Sequence, residues 1–316
     1  MVYKKMKIVF MGTPDYAAKA LEALIKAGHK VTAVVTQPDR PKGRSGQMQC
    51  SPVKECAVSY GIAVLQPIKI KTLEAIAELR KYEADIFVVA AFGQILSKEI
   101  LEMPKFGCVN IHASLLPKYR GAAPINQCII DGEKETGVTI MQMDTGIDTG
   151  DILTQKKVIL EDKETAETLF DKLTQAGAAL IVETLPKIEQ GVLTPIKQEE
   201  SSVSYVKMMD KAKGKIDWNC DAVFIERLVR GLNPWPSAYT FYQGKTIKIW
   251  RSDVVDALVK NTEQPGTIVC ISKDFFDVVC GKGILRVYEL QLEGKKRMDT
   301  KSFLLGNPWK TGMLLA

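Results

Sequence analysis

At 316 residues, with 46% apolar and 25% charged side chains, the chain has the composition of a soluble globular protein long enough for two domains. No stretch nears the ~18 uninterrupted apolar residues of a membrane span. The first residues lack the apolar core and cleavage site of a secretory signal, so a cytoplasmic protein with no membrane partner is expected. Seven scattered cysteines, odd in number and without a Cys-x-x-Cys pair, argue against a disulfide framework, and with only two histidines a zinc site is not expected either. A metal held by carboxylates alone stays open at this point. The formal charge of +6 lies wholly in the C-terminal part: residues 201–316 hold 18 Lys and Arg against 12 Asp and Glu, while 1–200 hold 25 of each. A solvated surface explains such an excess about as well as a polyanionic partner does.

In chain order, 7–11 is an apolar strand, followed by Gly12-Thr13-Pro14 and a helix running to about Ala27. Thr13 is placed to cap that helix, with Pro14 at its first position. A strand over 31–36 completes the strand–helix–strand opening of a doubly wound sheet. The dinucleotide fingerprint G-x-G-x-x-G is absent because Gly12 stands alone, which disfavours a nicotinamide-dependent oxidoreductase. Residues 37–52 form a long connection broken by Pro and Gly and carrying Arg40, Lys42 and Arg44. It reads as a structureless loop, either plain surface or an arm for phosphate contacts.

Helices are expected over 53–60 and 71–82, and strands over 63–65 and 85–91, the last wholly apolar and therefore central. After a loop over 92–96, Ser97 is placed to cap a helix reaching 103. A strand then leads to His112, followed by a helix over 125–131, a strand over 137–143, an antiparallel strand over 152–159 and a helix over 165–190. Residues 194–210 are polar, lack periodicity and read as a linker. A helix over 221–230 and five short strands between 238 and 290 predict a small barrel of the oligonucleotide-binding type. The expected fold class is therefore α/β: a doubly wound, Rossmann-like domain over 1–193, a linker over 194–210, and a smaller C-terminal β-barrel domain over 211–316.

The chemistry concentrates at the end of the strand before residue 113. Asn110 and His112, two residues apart, share a face of that strand, at the carboxyl end where open α/β sheets do chemistry. A Pro- and Gly-rich loop follows over 117–124. The other histidine, His29, follows Gly28 after a helical pattern and reads as a surface residue. His112 is either a core histidine bonded to backbone or a reactive imidazole. The second reading gains weight from the loop holding Asp144, Asp148 and Asp151 after another apolar strand. Asn can donate to an oxygen that turns negative in a tetrahedral intermediate, and His can donate there or move a proton. A carboxylate beside the imidazole orients it. Such equipment suits acyl transfer to an amine that is itself nucleophilic, with no protein nucleophile. Ser114 is close by, but no G-x-S-x-G elbow surrounds it. Asp148 is the preferred carboxylate, because Gly146 and Gly150 would let the backbone approach a ligand, while Asp144 and Asp151 suit turn formation. Two Asp-Thr-Gly triplets so close together cannot form the opposed lobes of an aspartic protease.

Asn110-Ile111-His112-Ala113-Ser114-Leu115-Leu116-Pro117, then Gly137-Val138-Thr139-Ile140-Met141-Gln142-Met143-Asp144, then Ile147-Asp148-Thr149-Gly150-Asp151, taken in this order, resemble the folate-dependent formyltransferases. The resemblance implies that Asn110, His112 and Asp148 are the catalytic set and that 10-formyltetrahydrofolate is the formyl donor. It also implies that the pterin is held by backbone near Gln94, Ile95 and Leu96 and by the loop from Asp144 onward, with Ser114, Leu115, Leu116 and Pro117 touching the folate. Phe10-Met11-Gly12-Thr13-Pro14-Asp15, Thr36-Gln37-Pro38-Asp39-Arg40-Pro41, Ser51-Pro52-Val53-Lys54 and Asn233-Pro234-Trp235-Pro236 extend the match over essentially the whole chain. They look like the members of that family that formylate methionyl initiator tRNA for translation initiation. In those members the basic loop enters the tRNA acceptor stem and a C-terminal barrel holds the tRNA. The resemblance thus implies tRNA contacts for Arg40, Lys42 and Arg44, with Arg44 matching the loop arginine, in a monomeric cytoplasmic enzyme. The chain departs from many members at residues 45–50, which are uncharged where lysines continue the loop. The same Asn–His–Asp site also serves formyltransferases of amino-sugar nucleotides. The long Pro/Arg loop and the basic second domain favour tRNA.

Overall fold

The structure, a computed structural model, describes residues 6–42, 46–255 and 263–316, with the side chain of Lys42 left out. Chain packing divides it into two units: residues 1–121, 135–159 and 170–206 form the first, and residues 122–134, 160–169 and 207–316 the second.

The first unit is built on β1 (Lys7–Gly12), α1 (Asp15–Lys26), β2 (Lys30–Val35), a hairpin of β3 (Arg40–Lys42) and β4 (Gln47–Gln49), α2 (Pro52–Ser59), β5 (Ala63–Leu65), α3 (Leu73–Arg80), β6 (Ile86–Ala90), α4 (Lys98–Leu101), β7 (Cys108–His112), β8 (Arg120–Gly121), β9 (Glu135–Gln142), β10 (Ile152–Ile159), most of α6 (Ala166–Gln190) and β11 (Tyr205–Val206). Seven strands make one sheet in the order β10-β9-β7-β6-β1-β2-β5. Strands β5, β2, β1, β6 and β7 are mutually parallel, and β9 runs against both of its neighbours. The central β6 is buried along its whole length, and β1 nearly so, as expected of strands covered on both faces. Side chains of one core, including Val9, Met11, Val35, Phe87, Val89 and Cys108, pack under Ile76, Leu79, Phe92, Leu96 and Ile100.

Three local expectations are corrected. Thr13 does not cap α1: the helix starts at Asp15 and Pro14 takes the cap position without a side-chain bond. The Thr13 hydroxyl instead reaches Phe92 O and accepts the Gln37 N–H, both at 3.4 Å, because the chain turns into the helix one residue later than proline's preference suggests. Ser97 likewise precedes α4 without a capping bond. The 37–52 connection is not structureless. Arg40 pairs with Gln49, Pro41 with Met48 and Lys42 with Gln47, so the chain doubles back as a two-stranded ribbon. Its base is tied by Asp39, whose carboxylate takes Lys54 Nζ at 2.6 Å and Gln66 Nε2 at 2.7 Å.

The 194–210 stretch, read as a linker, carries backbone pairing as far as Val206. Ile196 bridges Ile152, and β11 lies parallel to β8. Two-residue strands give no periodicity by which a sequence could announce them.

In the second unit α5 (Pro124–Asp131) packs on α7 (Ala222–Gly231), where Asn126 Nδ2 donates to Gly231 O at 2.7 Å. Asp221 caps α7 through the Val223 N–H. Strands β12 (Ala238–Tyr242), β13 (Lys245–Val255), β14 (Ile268–Ile271), β15 (Phe276–Val279) and β16 (Ile284–Leu292) form an antiparallel sheet in the order β12-β13-β16-β15-β14, with β17 (Met298–Asp299) beside β16. Residues 313–316 run between the two edge strands. Phe241 and Ala316 exchange backbone bonds at 2.8 and 2.9 Å on one side; Ile268 donates to Met313 O and Leu315 to Gly266 O on the other. The terminal segment thereby closes the barrel. A helix absent from the sequence reading, α8 (Thr300–Gly306), is capped by Asp299, whose carboxylate accepts from Ser302 N.

Candidate active site

Strand β7 alternates as its sequence dictates: Val109 and Ile111 enter the core, and Asn110 and His112 share the other face. Because β9 runs antiparallel to β7, it ends beside Cys108, where Met143 N donates to the Cys108 carbonyl. The loop that follows returns over β7 and delivers Asp148. Asp148 Oδ2 lies 3.6 Å from His112 Nδ1, and Asn110 Nδ2 lies 3.4 Å from Asp148 Oδ1. The structure therefore brings Asn110, His112 and Asp148 into one cluster, with the imidazole 7% and the carboxylate 14% exposed.

The loop closes upon itself by its own chemistry. The exposed Asp144 carboxylate accepts from Gly146 N at 3.0 Å and Thr149 Oγ1 at 2.6 Å, an Asx turn. A Cβ on Gly150 would sit 1.7 Å from Gln142 O, and one on Gly146 2.0 Å from Thr149 Oγ1. The loop's internal packing therefore by itself requires glycine at both positions. Asp148 itself is left-handed, at φ 54°.

Groups that the sequence did not announce hold this cluster. His112 Nε2 bonds to Tyr119 O at 2.9 Å; a carbonyl can only accept, so that nitrogen carries a proton. Gly121 N donates to Asp148 Oδ2 at 2.8 Å. Gln198 Nε2 donates to both Asp148 O and Gly150 O, at 2.8 and 2.7 Å. Gln198 Oε1 in turn accepts from Arg120 Nε at 2.9 Å. The Arg120 guanidinium, 1% exposed, also reaches Tyr205 OH and Glu200 Oε1. Burial weakens its hold on the proton, but the hydrogen bonds to Tyr205 and Glu200 outweigh that, and its pKa lies above the ordinary arginine value. No sequence signal points to Gln198, which lies 78 residues from the arginine it meets. Arg120 is at least inside the stretch that drew attention.

The remaining sequence candidates fall into place unevenly. Ser114 is fully buried and spends its hydroxyl on Lys118 O, and Leu116 packs with Met141 and Ile152. Leu115 and Pro117 keep part of their surface. The Gln94 side chain is engaged with Ile70 N and Pro67 O, Ile95 is 75% exposed and Leu96 is buried. Arg40 is exposed on β3, Lys42 shares that strand, and Arg44 lies outside the described residues. His29 sits in the turn between α1 and β2. No group of three or more His, Cys, Asp or Glu among the described residues is arranged to hold a metal. No described helix is long and apolar enough to cross a membrane.

Two family models match the chain, "Formyl transferase" over residues 6–185 and "Formyl transferase, C-terminal domain" over residues 208–308. The methionyl-tRNA formyltransferase of Lachnospira eligens is 54% identical over 313 residues, covering 98% of this chain and 99% of that one. The chain belongs to the methionyl-tRNA formyltransferase family. The methionyl-tRNA formyltransferase of Agathobacter rectalis is 55% identical, covering 95% of this chain and 96% of its own. Among solved structures, the N-formyltransferase from Helicobacter canadensis, determined with folinic acid and dTDP-3-aminofucose, superposes with a TM-score of 0.67 at 21% identity. It covers 93% of this chain and all of its own, and shares the fold. Membership in the methionyl-tRNA formyltransferase family makes the chain a one-carbon group transferase, with a Rossmann-like unit followed by a barrel.

Proposed function

We propose that the chain transfers the formyl group of 10-formyltetrahydrofolate to the α-amino group of methionyl initiator tRNA. The observation that carries the reading is the meeting of Asn110, His112 and Asp148, the carboxylate 3.6 Å from the imidazole. Relatives 54 and 55% identical over nearly the whole chain bear the name of that reaction.

A free α-amino group titrates near ~8, so a useful neutral fraction exists at cellular pH. Its nitrogen attacks the formyl carbon directly. A new carbon–nitrogen bond forms, the bond from that carbon to folate N10 breaks, the amine gives up one proton and N10 gains one. Asn110 Nδ2 donates to the formyl oxygen as it turns negative. His112 is the second group on that oxygen. With Nε2–H committed to Tyr119 O, it donates to that oxygen through Nδ1, which it can do only when both ring nitrogens carry a proton. Asp148 orients the ring and receives the amine proton, by way of a water where the two do not touch. Positioning and oxyanion stabilisation supply the rate, with no covalent enzyme intermediate.

The folate lies against the backbone of Gln94, Ile95 and Leu96 and the turn made by Asp144, with Leu115 and Pro117 offering apolar surface; Ser114 and Leu116 support that wall from behind. Arg40, Lys42 and Arg44 meet acceptor-stem phosphates, which position without reading sequence. The catalytic domain, 1–193, and the tRNA-binding barrel, 211–316, are joined by 194–210, whose residues as far as Val206 pack with the first unit, in a monomer of the cytoplasm. The test is incubation with 10-formyltetrahydrofolate and either charged initiator tRNA or an amino-sugar nucleotide. Formylated methionyl-tRNA is expected; formylation of the sugar nucleotide alone would reject the reading.

A further inference from the structure

We propose that Arg120 and Gln198 are positioning residues for formyl transfer, a clamp that holds the Asp148 loop in the geometry in which its carboxylate faces His112. The inference rests on the proposed function and deepens it. Asp148 occupies left-handed backbone at φ 54°, which Asp adopts more readily than most side chains, and a hydrogen bond to its own carbonyl adds to the hold on that turn. Two carbonyls of this loop, that of Asp148 itself and that of Gly150, converge on the single amide nitrogen of Gln198. Both amide hydrogens are thereby used.

The orientation of that amide is not free. Arginine is donor-only, so Arg120 Nε at 2.9 Å requires the Gln198 oxygen on its side and leaves the nitrogen to face the loop. Arg120 is itself fixed by Tyr205 OH at 3.0 Å, by Glu200 Oε1 at 3.1 Å and by its own backbone N–H on Ser204 O at 2.8 Å. The next residue, Gly121, donates its N–H to the Asp148 carboxylate, and the preceding one, Tyr119, accepts from His112. Three consecutive residues therefore hold the imidazole, the carboxylate and, through Gln198, the backbone between them. None of the bonds that Arg120 and Gln198 make is to a reactive side chain. Their effect on the reaction passes through Asp148.

Gln198→Glu separates this role from simple support of the fold. It keeps the side chain's size and the oxygen that Arg120 bonds, and it replaces the two donors to the loop by an acceptor. Steady-state formylation of charged initiator tRNA is measured for wild type, Gln198→Glu, Asp148→Asn and the double variant, each with its thermal midpoint. Turnover of Gln198→Glu is expected to fall at least about tenfold, the scale of a lost buried hydrogen bond, with both KM values within about twofold and an undiminished midpoint. The double variant is expected to be no slower than Asp148→Asn, since residues acting as one unit are not additive. Wild-type turnover in Gln198→Glu, or losses that multiply in the double variant, would overturn the clamp. Should Gln198→Glu fail to fold, Arg120→Lys takes its place in the same comparison, judged by the same two outcomes. Full turnover in Asp148→Asn would instead remove Asp148 from the mechanism and the clamp with it, whereas a wild type that formylates no charged tRNA would reject the functional reading itself. A crippled Asp148→Asn beside an unimpaired Gln198→Glu rejects the clamp alone.

Discussion

His112 gives its Nε2–H to the Tyr119 carbonyl at 2.9 Å and turns Nδ1 toward Asp148 Oδ2 at 3.6 Å, so one ring nitrogen is structural and the other is left for chemistry. Removing the ring should therefore do two separable things. His112→Ala and Asp148→Asn are each expected to lose at least ~100-fold in turnover, the low end for a positioned acid or base. His112→Gln keeps an amide donor for Tyr119 O and lacks an exchangeable group at the Nδ1 position. It should melt closer to wild type than His112→Ala while turning over no faster. A His112→Gln enzyme with near-normal turnover would take the imidazole out of the mechanism.

Strand β7 shows how far a sequence carries such a site. Alternation in an apolar run placed Asn110 and His112 on one face, and β7 delivers them there. The glycine-broken loop drew attention to Asp148, yet its route is a consequence of β9 running antiparallel, which periodicity does not encode. The clamp was invisible for a plainer reason. An arginine in Tyr-Arg-Gly looks like solvent-facing loop, and burial of Arg120 depends on Gln198, Glu200 and Tyr205 arriving from a polar stretch without pattern. The hairpin at 37–52 was missed because three-residue strands lie below any usable period. Helix α8 is absent from the sequence reading although its signals are present, with Asp299 as a cap before a short apolar run that stops at Gly306.

Arg40 and Lys42 share one strand of an exposed ribbon, and Arg44 follows them in sequence. Arg44→Ala is expected to raise the KM for charged tRNA and leave folate affinity unchanged, measured by initial rates with each substrate varied. Catalytic efficiency toward tRNA should also fall as salt rises, more steeply for wild type than for the variant, because one fewer phosphate contact releases fewer counterions. An equal loss of folate affinity would mean damage to the fold and not to the tRNA contact.

The ribbon's base depends on ionisation. Hydrogen bonds from Lys54 and then Gln66 hold the Asp39 carboxyl below the usual carboxylate range. A carboxyl whose folded pKa is depressed contributes its stabilisation above the unfolded value, ~3.9, and loses it as pH falls through the lower folded value. Anchoring should therefore persist through neutral and mildly acidic pH and fade only in stronger acid. Asp39→Asn should show the loosened state already at neutral pH, read as faster hydrogen exchange at the amides of Gln47–Gln49. Unchanged exchange in that variant would show the ribbon is held elsewhere.

One buried hydroxyl adds to the backbone bonds that close the barrel. Thr240, fully buried on β12, accepts the Trp218 indole N–H at 3.0 Å and donates to Ala316 O at 3.0 Å, joining the sheet to the segment that seals it. Thr240→Val keeps the shape and removes both bonds, leaving a buried N–H without its acceptor. The expected cost is about 1–3 kcal/mol, the penalty of a buried donor left unsatisfied. Thr240→Ser retains the hydroxyl and should lose less, the deficit coming only from the missing methyl group. Denaturant midpoints for the three proteins decide the matter: if valine is as stable as threonine, the terminal segment is held by its backbone bonds to Phe241, Gly266 and Ile268 alone.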